Sequence, residues 1–208
     1  MAAHMNKRLY LASSSPRRKE LLDQIGLAFE IVIPEIDESL GADESASAYV
    51  VRMAKEKAAV GAGMTENSDN ALFLGSDTVV VCDENVLGKP TDASQAESML
   101  RMLAGKTHRV MTAVAVDGAQ KAVGIAETFV TFRALTHIEI QAYCHSKEPF
   151  GKAGGYAIQG RAAAFIERIE GSYSCVMGLP LYETAAMLVE AGYKIRESWG
   201  GDEPGNTD

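Results

Sequence analysis

The chain has 208 residues, of which 47% are apolar and 23% are charged, and this fits one globular domain or two closely joined lobes. Its net charge of −8 argues against broad nucleic-acid binding, and no run of about 18 apolar residues predicts a membrane span. The N-terminus lacks the apolar segment of a secretion signal, and the three cysteines have no zinc or redox spacing, so we expect a cytoplasmic protein.

The two ends of the chain differ from its middle. Residues 1–5 resemble an expression-vector remnant that ends at a native start methionine. Residues 197–208 are polar and rich in glycine and acidic side chains, which predicts a disordered tail. No linker or internal repeat interrupts residues 6–196, so we expect them to form a single domain.

Helical and extended patterns alternate along the chain, which predicts an α/β protein. The predicted strands and helices, in chain order, are strand 8–12, helix 16–25, strand 29–33, helix 45–62, strand 71–82, helix 92–103, strands 107–116 and 121–133, helix 136–144, strand 163–169 and helix 180–191. The long hairpin around Asp117-Gly118 does not fit a purely parallel sheet. We therefore predict a mixed, strongly twisted central sheet with helices around it.

A serine-rich corner follows the first predicted strand. Ser15 fits the cap of the next helix, Pro16 fits its first position, and Ser13 adds another hydroxyl. Arg17 and Arg18 then lie beside the free N–H groups of the helix start. Because arginine binds phosphate oxygens two at a time, the corner predicts a phosphate-binding site for a nucleotide or another polyphosphate. The alternative is an ordinary capped helix with solvated arginines.

An aspartate interrupts the most apolar of the predicted strands. Burial of a carboxylate without a partner costs free energy, so a carboxylate at this position indicates that Asp77 is a metal ligand or a general base. The alternative is that it caps a turn or pairs with a nearby arginine. Glu38 lies in an acidic loop after the second strand and would complete an oxygen site for Mg²⁺ or Mn²⁺, unless that loop is simply solvated.

Two lysines and a glycine-rich segment are further candidates. Lys57 and Lys89 can each contact a phosphate oxygen, although most lysines are only solvated. The glycines of 151–160 permit close approach of the backbone to a ligand, and Gln159 can read a base edge with its amide. Tyr156 in the same segment either stacks on a ligand or packs.

The histidines give no sign of a metal or covalent site. His108, His137 and His145 share no metal-ligand spacing, and we interpret them as structural or exposed. No Ser-His-Asp or Cys-His arrangement indicates covalent catalysis.

Taken in order, these segments resemble the Maf family of nucleoside triphosphate pyrophosphatases. The similarity covers residues 9–192, and the matching segments are LYLASSSPRR, IDES, VVRMAKEKA, LGSDTVVV, LGKP, GKTHRVMTAV, KAGGYAIQG and GLPLYET. The resemblance implies a fold like that of the Maf and inosine triphosphate pyrophosphatases, with two lobes flanking a substrate cleft. It also implies hydrolysis of a nucleoside triphosphate to a monophosphate and pyrophosphate, a divalent metal (Mg²⁺ or Mn²⁺) and a homodimer.

The segment GYAIQG is similar to the branch of the family that acts on dTTP and UTP. By this resemblance, Arg17, Thr78 and Gln159 occupy positions associated with pyrimidine choice, and Asp77 occupies the proton-acceptor position. The further active-site positions match Ser13, Ser15, Arg18, Glu38, Lys57 and Lys89. We expect the basic residues to surround the phosphates and the two carboxylates to hold the metal, with the choice between base and ligand left open for Asp77.

Two other functions are compatible with the same residues. One is a pyrophosphatase for other non-standard nucleotides, such as ITP or 7-methyl-GTP. The other is a nucleotide-binding regulator of septum formation with little turnover. Turnover of a panel of nucleotides distinguishes these functions. Each pyrophosphatase would cleave its own substrates, whereas the regulator would bind a nucleotide without producing a monophosphate.

Overall fold

The computed structural model describes residues 7–65 and 70–199. The strands in these ranges are β1 (Arg8–Ala12), β2 (Glu30–Val32), β3 (Ala71–Cys82), β4 (Asn85–Leu87), β5 (Thr107–Asp117), β6 (Ala122–Phe132) and β7 (Ile166–Glu170). The α-helices are α1 (Pro16–Gln24), α2 (Ala46–Gly63), α3 (Ala93–Leu103), α4 (His137–His145), α5 (Tyr173–Met177), α6 (Leu181–Glu190) and α7 (Ile195–Ser198). The predicted vector remnant and residues 200–208 of the predicted tail lie outside the described residues.

One mixed sheet contains all seven of the described strands. Its order is β2-β1-β3-β5-β6-β7, and β4 pairs with the end of β3. Strand β1 runs parallel to β2 and β3, whereas all the other pairs are antiparallel. The predicted mixed sheet is therefore confirmed. In the part of the chain that the structure describes, no helix is long and apolar enough to cross a membrane.

Helices cover both faces of this sheet. On one face, buried side chains of α1, α3, α4 and α6, such as Leu22, Leu100 and Leu188, join the larger core. On the other face, α2 presents Val50, Ala54 and Ala58 to β3 and β5. Burial on both faces explains why β3 is an almost continuous apolar run instead of an alternating one.

Most predicted elements are confirmed within a residue or two, and the exceptions are short. The predicted strand 163–169 is wrong at its start, because Arg161–Phe165 forms a 3₁₀ turn and β7 begins only at Ile166. The sequence patterns missed β4, α5 and α7, which have three to five residues each and show no measurable period. Side chains cap three of the described helices, since Ser45, Asp92 and Thr136 each accept a backbone N–H in the first turn.

Gly75 allows α2 to lie unusually close to β3. A Cβ atom at this position would overlap the carbonyl oxygen of Ala54 and would lie 2.6 Å from the amide nitrogen of Ala58. Alternate residues of a strand face the same side, so Asp77 points toward the same helix as Gly75. The close approach is what lets Lys57, on α2, reach that carboxylate.

We expect Gly75→Ala to lower the free energy of unfolding by about 2 kcal/mol or more, because backbone atoms of α2 cannot yield to the added methyl group. The matched control is Gly63→Ala at the end of the same helix, where no described atom lies within 4 Å of the new Cβ. That variant is expected to stay within about 0.5 kcal/mol of wild type. Urea unfolding measures both, and equal stabilities would contradict this account of the contact.

Candidate active site

A cleft of about 340 Å³ opens where β1 ends, between the start of α1 and the glycine-rich segment. All ten side chains singled out from the sequence line it, namely Ser13, Ser15, Arg17, Arg18, Glu38, Lys57, Asp77, Thr78, Lys89 and Gln159. They come from six separate stretches of the chain. The fold therefore brings together every candidate residue that the sequence proposed, in one concave site of the kind that binds small ligands.

The serine-rich corner is built differently from a simple capped helix. Ser15 is the N-cap of α1 and Pro16 follows it, as predicted, but in this described helix the Ser15 side chain makes no capping hydrogen bond. Its backbone N–H instead donates to Ser13 Oγ at 3.2 Å. The first turn of α1 therefore keeps N–H groups for a ligand, which is a favourable arrangement for an anion.

Both arginines are anchored to the end of α5. Arg18 is buried and donates through Nε to the carbonyl oxygen of Gly178 at 2.8 Å and through Nη1 to Ser13 Oγ at 3.0 Å. Arg17 donates through Nε to the carbonyl oxygen of Met177 at 3.3 Å. Burial lowers the pKa of each, and Asp77 acts in the opposite direction on Arg18. A guanidinium has five N–H donors, so each arginine retains donors for an anion.

Lys57 forms the centre of a four-residue ion cluster. Its Nζ atom lies 2.6 Å from Glu38 Oε1 and 2.7 Å from Asp77 Oδ1, and Lys89 Nζ lies 3.1 Å from Glu38 Oε2. Lys57 and Asp77 are almost fully buried, with side chains only 8% and 9% exposed. Asp77 is thus tolerated inside an apolar strand because a lysine pairs with it, and the sequence alternative of an arginine partner is wrong.

Glu38 is held ionised by the same contacts. Burial raises its pKa, but the hydrogen bonds and charges of Lys57 and Lys89 outweigh burial and lower the pKa to about 2. Two contacts from α2 fix its loop, because the Tyr49 hydroxyl donates to the Glu38 carbonyl at 2.9 Å and Arg52 donates to the Ser39 carbonyl at 2.9 Å. The carboxylate is therefore placed by the helix that also carries Lys57.

The donor set of this cluster fits a hard divalent cation. Among residues 7–65 and 70–199, no three His, Cys, Asp or Glu side chains are grouped as metal ligands. Glu38 and Asp77 nevertheless converge on one point, the ammonium of Lys57. Mg²⁺ is commonly bound through one or two carboxylates together with substrate phosphates and water, and this pair supplies such carboxylates.

The glycine-rich segment forms a further part of the cleft lining. Gly154 and Gly155 have φ values of 69° and 68°, and a Cβ on Gly154 would lie 2.9 Å from Val80 Cγ2 on β3. Gln159 is exposed at the cleft, and its side chain makes no hydrogen bond with any described residue. Its amide is thus free to meet a ligand, as the sequence suggested.

Tyr156 packs instead of stacking on a ligand. It is 5% exposed, its hydroxyl lies 2.9 Å from His108 Nε2, and its ring meets that of Phe132 edge-on at 4.9 Å. His108 is itself buried, whereas His137 and His145 are exposed, so the interpretation of the three histidines is confirmed.

Lys152 is a cleft residue that the sequence analysis missed. Its Nζ atom donates to the carbonyl oxygens of Glu148 at 2.6 Å and Phe150 at 3.3 Å, which fixes the ammonium at the cleft wall. Burial, followed by the nearby charge of Arg17, lowers its pKa. The available signal was that Lys152 is the one basic residue in the segment GKAGGYAIQG.

We expect stability to fall between pH 6.5 and about 4 because of His108. Burial lowers the pKa of His108 from 6.5 to about 4, so in this range the unfolded chain binds a proton that the folded protein excludes. The unfolding free energy should drop by at most about 1.4 kcal/mol per pH unit as the pH decreases. Urea unfolding at pH 7, 6 and 5 measures how the unfolding free energy depends on pH. This dependence should be weaker for His108→Asn than for the exposed control His137→Asn, and equal dependences would refute the role given to His108.

Comparisons with known proteins agree on one family. The family described as Maf-like protein matches residues 8–191 of the chain. A dTTP/UTP pyrophosphatase of Alkalilimnicola ehrlichii is 48% identical over 194 residues, which cover 92% of this chain and 96% of that protein. A protein of the same name from Shewanella sp. (strain MR-7) is 50% identical, over 89% of this chain and 99% of that protein. Another from Salmonella typhimurium is 51% identical, over 86% of this chain and 91% of that protein. Because the match extends over nearly the whole described fold, including the cleft, this chain belongs to the Maf family.

Proposed function

We propose that this chain is a nucleoside triphosphate pyrophosphatase that hydrolyses dTTP and UTP to the monophosphate and pyrophosphate. The observation that carries the proposal is that relatives about half identical over most of the chain bear the name dTTP/UTP pyrophosphatase. The site chemistry agrees with it, because a basic cleft with two carboxylates and a free amide suits a polyphosphate attached to a base.

The charges of the cleft match a triphosphate. Two carboxylates and five basic side chains line it, which leaves an excess of three positive charges, and the basic residues are Arg17, Arg18, Lys57, Lys89 and Lys152. A triphosphate carries close to four negative charges, and phosphoryl-transfer catalysis depends mainly on positioning and charge stabilisation. In a protein of net charge −8, this local excess attracts the anion to one place.

Asp77 is the proposed general base. Its Oδ1 atom accepts a hydrogen bond from Lys57, while Oδ2 accepts none from the described residues and is available to a water molecule. That water attacks the α-phosphorus, the bond from this phosphorus to the oxygen of the leaving pyrophosphate breaks, and the proton of the water passes to Asp77. Lys57 orients Asp77 through this hydrogen bond, and Lys89 lies at the cleft, where it can contact a phosphate oxygen.

Glu38 and Asp77 are the residues that would hold Mg²⁺ or Mn²⁺. When bound, such a metal polarises the phosphate and neutralises charge on the leaving pyrophosphate. The contribution of the chain itself is to orient both carboxylates, and the two lysines do this through their ion pairs.

The base is proposed to lie toward Thr78 and Gln159, with Arg17 between base and phosphates. Thr78 and Gln159 offer neutral hydrogen-bonding groups that can meet a base edge, whereas the lysines and arginines suit phosphate. The homodimer and the cytoplasmic location remain predictions from the sequence, and light scattering tests the first of them.

Incubation with Mg²⁺ or Mn²⁺ and a panel of dTTP, UTP, CTP, ITP, 7-methyl-GTP and the standard purine triphosphates tests the substrate class. We expect dTMP and UMP, each with pyrophosphate, and slow turnover of the others, with chromatography identifying the products. Addition of EDTA should abolish the reaction and excess Mg²⁺ should restore it. Preferential cleavage of a purine nucleotide, or release of orthophosphate instead of pyrophosphate, would contradict the proposal.

Asp77→Asn keeps the shape of the side chain and an acceptor for Lys57, but removes the base. We expect kcat to fall by about 10²-fold or more while the protein stays folded. The matched control is Asp83→Asn, which removes a carboxylate paired with Lys106 on the protein surface and should leave kcat unchanged. Steady-state kinetics with UTP measures both variants, and near wild-type turnover by Asp77→Asn would eliminate this residue as the base.

A further inference from the structure

Thr78 and Thr112 face each other across β3 and β5, and their hydroxyls are hydrogen-bonded. The two residues are directly paired in the sheet, and their Oγ1 atoms are 2.9 Å apart. Thr112 is fully buried, whereas Thr78 is partly exposed and lines the cleft. A hydroxyl has one proton, so only one of these two oxygens donates to the other.

A backbone carbonyl decides the direction of this hydrogen bond. Thr112 Oγ1 also lies 2.7 Å from the carbonyl oxygen of Cys175, which has no proton to give. Thr112 must therefore donate to Cys175, and Thr78 must donate to Thr112. The carbonyl is itself fixed, because it accepts the backbone N–H of Gly178 at 3.0 Å where α5 ends.

Thr78 consequently presents only lone pairs to the cleft. Phosphate oxygens are also acceptors and would be repelled by it, so its partner must be a hydrogen-bond donor. On a pyrimidine nucleotide, the ring N3–H of uracil or thymine is such a donor, whereas N3 of cytosine is a bare acceptor. The exposed Gln159 amide can rotate to present either its oxygen or its nitrogen, so it adapts to both bases.

We propose that Thr112 is a specificity-determining positioning residue, which fixes Thr78 as an acceptor for the N3–H of uracil and thymine and so disfavours cytosine. The inference rests on the proposed function and extends it to a residue that does not touch the substrate. On this view, CTP is rejected because the hydroxyl proton of Thr78 points into the protein interior and leaves only an acceptor in the cleft. A site with a fixed acceptor discriminates between uracil and cytosine more strongly than a site whose hydroxyl can rotate.

Thr112→Val tests the inference, because valine keeps the shape of threonine and removes the acceptor. In this variant Thr78 loses its partner, and its hydroxyl can rotate to donate into the cleft. Cys175 keeps its bond from Gly178. We expect the ratio of kcat/KM for UTP to that for CTP to fall by about tenfold or more. Thr112→Ser keeps the hydroxyl, and we expect it to retain the wild-type ratio.

The outcomes separate the inference from the proposed function. If wild type cleaves UTP well and CTP poorly but Thr112→Val keeps that ratio, even with lower rates on both, the inference is overturned and the proposed function stands. If wild type cleaves neither UTP nor dTTP, the proposed function fails and the inference fails with it.

A second measurement does not depend on the valine variant folding. Wild-type protein should process N3-methyl-UTP at least about tenfold less efficiently than UTP, because the methyl group replaces the proton that Thr78 accepts. The C5-methyl group of dTTP serves as the control for added bulk on the ring. Equal kcat/KM for UTP and N3-methyl-UTP would overturn the inference, whatever the behaviour of Thr112→Val.

Discussion

Lys57 holds two carboxylates from distant parts of the chain around one buried ammonium group, and the geometry of the cleft follows from that contact. Glu38 comes from the loop after β2, and Asp77 comes from the middle of β3. Removal of one partner from such a buried pair commonly costs about 3–5 kcal/mol, because the remaining charge is left without compensation. The three residues therefore depend on one another, and their arrangement forms without a substrate.

The two walls of the cleft differ in electrostatic character. On the side around β3 and α2, Lys57 and Lys89 pair with Asp77 and Glu38, so the two lysines and the two carboxylates balance in charge. On the side formed by α1 and the glycine-rich segment, Arg17, Arg18 and Lys152 donate to backbone carbonyls and form no direct ion pair with a carboxylate of the described residues. Under the proposed function, a bound polyphosphate would relieve the repulsion among these three cations, and the reaction would occur beside the balanced side.

The sequence predicted the sheet and the membership of the site better than it predicted the contacts inside the site. Asp77 was detectable because a carboxylate in an apolar strand contradicts local preference, and Ser15 and Pro16 were detectable because caps are local. The partner of Asp77 could not be predicted. Lys57 reaches Asp77 only because Gly75 lets the backbone of α2 lie close to β3, and no periodicity in the sequence encodes that close approach. Lys152 was missed because its role depends on the carbonyls that hold it in place.

The five-residue helix α5, which the sequence patterns missed, organises the polar groups of the cleft through its carbonyl oxygens. The carbonyls at its C-terminal end accept from Arg17, Arg18 and Thr112, and each donor lies far away in sequence. Carbonyls at a helix end have no partner within the helix, and the negative end of its dipole favours cations. Gly178, with φ at 111°, turns the chain so that these oxygens diverge toward α1 and β5. A helix too short to be recognised by periodicity thus fixes both arginines of the cleft and the hydroxyl pair of β3 and β5, because its role depends on where its backbone carbonyls lie.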